Sequence, residues 1–186
     1  MRYEFERVQP HWLARLVLSG GWRSTLRWVL PVVVAAVAQG VWAHRMAIGG
    51  TTPDFPLLVL ACIALYTNPT LAAWAGFFTG LLHASMLEQT VGSLIVSRVL
   101  AATAVAYLPT LLSPRHPLSI LPAVALLHLL AQGMLYLAAP IVDPSAFWQA
   151  SLGSMVYNMG LAIPVYWLAQ RVLPPASEDD TLLWNK

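Results

Sequence analysis

Charge is scarce in this 186-residue chain: 10% of the residues are Asp, Glu, Lys or Arg, against 58% apolar ones. Soluble domains carry about 25% charged residues, so too little polar surface exists here to wrap a water-soluble globule, and that class is excluded. Cysteine occurs once, at Cys62, which rules out a disulfide framework or a clustered thiolate metal site within one chain. No H-E-x-x-H spacing accompanies the histidines, no G-x-S-x-G elbow accompanies Ser85, Ser93, Ser97 or Ser154, and Gly-rich phosphate loops are missing. Nor is there a basic footprint for nucleic acid. What remains is a noncatalytic chain with no resident metal or cofactor, and with a lipid bilayer as its expected solvent.

What is present is a series of apolar stretches. A hydrocarbon core of roughly 30 Å is crossed by about 20 helical residues, and six candidates follow one another at 28–48, 54–67, 70–88, 91–112, 117–139 and 146–172. The expected fold class is all-α: a polytopic bundle of six transmembrane helices over 28–172, between a basic leader at 1–27 and a tail at 173–186. The second span is the weakest, being short enough for a thin crossing or a re-entrant segment. The stretch from Phe55 to Leu87 is nevertheless too long for one helix. Asn68-Pro69 interrupts it with a helix cap followed by proline at the first helical position, which predicts a tight helical hairpin.

Orientation follows from the cations. Arg2, Arg7, Arg15, Arg23, Arg27, Arg115, Arg171 and Lys186 fall on one side and Arg45 on the other, so the first side, with both termini, is cytoplasmic. The leader is too long and, at Glu4 and Glu6, too acidic for a cleavable signal. Its Trp12, Leu13, Leu16, Val17 and Leu18, interleaved with His11 and Arg15, fit either a short interfacial helix ended by Gly20-Gly21 or a frayed basic arm. Pro122 and Pro164 lie inside expected helices and should bend them.

Small residues recur every fourth position at Ala72, Gly76, Gly80 and Ala84, a ridge that lets another helix approach closely inside the bundle. A second ridge, Ala150, Ser154, Asn158 and Ala162, carries an amide that needs an interhelical hydrogen bond. Arg98 is the most costly residue, about 10 Å into the fourth span at 1.5 Å per residue, where an arginine costs about 2.5–3.5 kcal/mol on insertion scales. Its partner is expected among Glu88, Asp54, Asp143 or backbone carbonyls. Arg98 therefore either binds a ligand or partner, or snorkels to the interface or clamps helices. His83 lies in the third span, and His128, Gln132 and Tyr136 share a face of the fifth; with no intramembrane carboxylate alternating with them, a proton relay is not expected.

The order of motifs brings in a family. Thr52-Pro53-Asp54-Phe55 leads into an apolar run, Gly76-Phe77-Phe78-Thr79-Gly80 is followed by Gly92, and Asn158, Pro164, Tyr166-Trp167 and Arg171 close the last span. Over roughly 50–172 the chain resembles MreD, the rod shape-determining membrane protein of bacteria. It departs from the family pattern at Ala84, where an aspartate is common, with His83 beside it. The resemblance implies a noncatalytic inner-membrane scaffold that maintains rod shape by organising lateral peptidoglycan synthesis. Its implied partners are MreC and the elongation glycosyltransferase and transpeptidase. Six helices also evoke the substrate-binding subunits of energy-coupling-factor transporters, so the alternative expectation is a small-molecule-binding subunit with Arg98, Asn158 and His128 around a pocket on the outer side.

Overall fold

A computed structural model describes residues 21–86, 91–113, 116–138 and 143–173, the first helical turns of which, up to residue 27, are described for the backbone alone. Among these residues there are six α-helices: α1 (Gly21–Trp42), α2 (Phe55–Tyr66), α3 (Pro69–Ala84), α4 (Val91–Val105), α5 (Ile120–Ala138) and α6 (Pro144–Val172). Residues 1–20, Glu88, Arg115 and 174–186 lie outside the described residues, and with them the proposed interfacial helix and most of the tail.

The helix starts are written in the sequence. Asp54 Oδ1 accepts from the Leu57 N–H at 2.9 Å and Asn68 Oδ1 from the Leu71 N–H at 2.9 Å. Asp143 Oδ1 does the same for the Ser145 and Ala146 N–H groups. A proline in each first turn adds preset backbone geometry where no helical acceptor is lost. Thr67 and Asn68 alone join α2 to α3, which is the expected hairpin.

Neighbouring helices alternate in direction. Gly76 lies against Arg98 and Val99 while Gly80 lies against Leu94 and Ile95, so α3 and α4 are antiparallel. Asp54 meets Asn158 and Tyr66 meets Gln170, so α2 and α6 run parallel. His128 meets Ser151 and Tyr136 meets Phe147, so α5 runs against α6.

The second span takes a role its composition did not reveal. α2 packs against every other helix, and nine of its 12 residues are buried. A helix apolar all round belongs in a core. At 12 residues it is about 18 Å long, too short to cross a bilayer core alone, so Asp54 and the extended residues before it lie inside the bundle.

Three boundaries depart from expectation. α1 begins at Gly21, so residues 21–27 belong to a helix rather than to the leader, and Gly21 opens a helix instead of ending one. It stops at Trp42 and not at residue 48, because a 3-10 turn follows and Gly49 and Gly50 adopt φ of 58° and 82° in a tight turn closed by paired Ile48 and Thr51. α5 starts at Ile120, which puts Pro122 in its first turn where no bend is required. α6 continues through Pro164.

Two helical stretches, Val91–Thr110 and Pro117–Ala138, are long and apolar enough to cross a membrane by length and composition, and Trp28–Trp42 and Phe55–Tyr66 are shorter apolar helices. The burial pattern is inverted relative to a soluble protein. Val33, Val37, Phe78, Val96, Val156 and Leu168 are exposed, whereas Asp54, His83, Arg98, His128 and Asn158 are buried.

Candidate functional site

The buried polar residues converge where α2 begins. Gly76 and Gly80 bring the α3 and α4 backbones together so closely that a Cβ on Gly76 would sit 2.7 Å from the Arg98 carbonyl oxygen and one on Gly80 2.8 Å from the Ile95 Cα. The expected ridge of Ala72, Gly76, Gly80 and Ala84 is thus buried inside the bundle. From this crossing Arg98 turns inward, with 3% of its surface exposed. It does not snorkel.

Arg98 Nη2 donates to Asp54 Oδ2 at 2.5 Å and lies 2.9 Å from His83 Nδ1. Of the three partners expected for Arg98, the structure selects Asp54. A guanidinium has no acceptor, so His83 Nδ1 must present its lone pair, and His83 is the neutral tautomer with its proton on Nε2. The 3.8 Å separation of His83 Nδ1 from Asp54 Oδ1 is then proximity and not a second ion pair. The carboxylate that seemed missing beside the histidines is Asp54, 29 residues upstream of His83 in the chain and adjacent to it in space.

The chain entering α2 is held from two further helices. Asn158 Oδ1 on α6 accepts from the Asp54 N–H at 2.9 Å. Gln39 on α1 accepts from the Phe55 N–H at 2.9 Å and donates to the Pro53 carbonyl at 3.1 Å. Ser154 donates to the Thr52 carbonyl at 3.1 Å, and Tyr157 to the Met46 carbonyl at 2.7 Å. Backbone that is not helical is tolerated at membrane depth only when protein satisfies it in this way.

His128 forms a second node: its Nε2 is 3.2 Å from Ser151 Oγ, between α5 and α6. Ser–His pairs serve as nucleophile and base when a third group orients the base. Here His128 Nδ1 has no partner among the described residues, and both side chains are buried. The pair ties helices together. No three of His, Cys, Asp and Glu assemble as a metal site among the described residues.

The remaining expected site residues fall outside this centre. Gln132 is half-buried one turn beyond His128, Pro164 and Arg171 are exposed on α6, and Gly92 has open space around its Cα at the start of α4. Gly92 therefore has no steric need for glycine, unlike Gly76 and Gly80. On α6 the buried stripe is Ser151, Asn158, Ala162 and Tyr166; Ala150 faces outward. Sequence reasoning missed Gln39, Thr79 and Ser151. Gln39 had a signal, since an amide within an Ala/Val-rich span needs a partner.

Comparison with protein families, curated proteins and solved structures found no match to this chain.

Proposed function

We propose that this chain is a multi-pass inner-membrane protein with both termini in the cytoplasm, acting as a noncatalytic scaffold of the rod elongation machinery, as its resemblance to MreD implies. In this role it organises lateral peptidoglycan synthesis together with MreC, the elongation glycosyltransferase and the transpeptidase. The observation that carries the reading is how the costly residues are used. Arg98, Asp54, His83 and Asn158 are buried and bonded to one another, fixing α2, α3, α4 and α6 at one point. The apolar outer faces of the helices are left for lipid and for partner helices. Depletion in a rod-shaped host tests it: cells should lose their constant width, and MreC should co-isolate with the protein in mild detergent. A depleted host that stays rod-shaped contradicts the proposal.

A second reading is favoured by one observation. Arg98 Nη1 and His128 Nδ1 are buried without a hydrogen-bond partner, as donors waiting for a ligand would be. A small-molecule-binding transporter subunit predicts a melting temperature that rises with ligand concentration. Flat melting curves across vitamins and other small metabolites remove this reading.

A further inference from the structure

Three buried side-chain atoms lack a protein partner among the described residues: Thr79 Oγ1, Arg98 Nη1 and His128 Nδ1. Their side chains are among the least accessible in the molecule, with relative exposures of 1%, 3% and 1%. They surround one place. Thr79 lies one helical turn from His83 on the buried face of α3, so their Cβ atoms are about 5–6 Å apart. Arg98 runs from its backbone beside Gly76 to the His83 ring, and its path passes Thr79. His128 is near enough to feel the charges of both Asp54 and Arg98.

We infer that an internal water molecule binds between Thr79, Arg98 and His128, and that it joins the Asp54–Arg98–His83 cluster to the His128–Ser151 pair. Buried waters take about three hydrogen bonds from polar groups that have no other partner, and the three atoms supply that number. The inventory closes: Arg98 Nη1 only donates, the Thr79 hydroxyl does either, and His128 Nδ1 accepts when its proton is on Nε2. The water accepts from Arg98 and donates to His128, leaving the His128 Nε2–H to bond Ser151 Oγ.

Charge decides against an ion. Asp54 and Arg98 cancel, and His83 is neutral. A bound anion would leave this apolar interior net negative, a cation would meet Arg98, and a neutral molecule adds no charge to be desolvated. The inference is independent of the scaffold reading, because it concerns what completes the core and not what the outer faces touch.

Magnetisation transfer from water to the Arg98 guanidinium protons, measured by NMR on the full chain in bilayers, tests it, with the Arg98 resonance identified by its contact with His83. The wild type should show transfer to Arg98. Thr79→Ser should retain it and Thr79→Val should lose most of it, roughly threefold or more, since the hydroxyl is one of three ligands. A folded wild type with no transfer to Arg98 overturns the inference, as does an organic molecule or ion found in contact with Arg98. So does undiminished transfer in a folded Thr79→Val. If Thr79→Val does not fold, the wild-type measurement decides alone.

Discussion

Arg98 and Asp54 hold each other in the interior, and the balance between them is the most consequential in the molecule. A buried ion pair contributes little net stability compared with apolar residues of the same shape, but removing one partner leaves a stranded charge at a cost of about 3–5 kcal/mol. Asp54→Asn keeps a side chain able to cap α2 yet strips the charge, so it should destabilise by about that amount. Combining it with Arg98→Met should recover a large part of the loss, measured as unfolding of the purified protein in detergent. Simple addition of the two losses would show that the charges do not act on one another. Arg98→Leu should likewise lower abundance in membranes more than Arg98→Lys, which preserves a positive charge though not the planar fork. The cost of Arg98 was legible in the sequence. Its partner was not, because three carboxylates were available and the choice depends on a contact spanning 44 residues.

At the scale of elements, the α3–α4 crossing is set by two glycines whose neighbours are backbone atoms that cannot step aside. Gly76→Ala and Gly80→Ala should each destabilise by about 1–3 kcal/mol through forced separation of the helices. Gly92→Ala meets nothing within 4 Å and should be neutral or stabilising by about 0.5–1 kcal/mol, the helix-interior penalty of glycine being removed. Equal effects at the three positions, read from thermal unfolding, would contradict close packing. The four-residue period announced this crossing, and Asn68-Pro69 announced the break between α2 and α3, since both signals are local. The central position of α2 was hidden: a short run that is apolar on every side reads the same whether lipid or protein surrounds it. Gly92 shows the opposite limit, where a spacing motif gave no sign that one of its glycines is unconstrained.

For the whole molecule, the organising feature is the inversion of inside and outside. Exposed side chains such as Leu30, Val34, Val41, Trp167 and Leu168 are apolar, while the buried set includes the ionic cluster, and water as solvent would favour neither arrangement. The six-helix count and the short loops were legible from hydropathy and proline punctuation. How α1, α4, α5 and α6 arrange around α2 was not, since it rests on pairings such as Asp54 with Asn158, 104 residues apart. The most direct measurement is spin-label accessibility in reconstituted bilayers, with single labels at Val33, Phe78 and Leu168, buried Cys62 remaining unlabelled. The account predicts that all three labels are relaxed more by oxygen, which partitions into lipid, than by a water-soluble nickel complex. Stronger relaxation by the nickel complex at these three sites would contradict it.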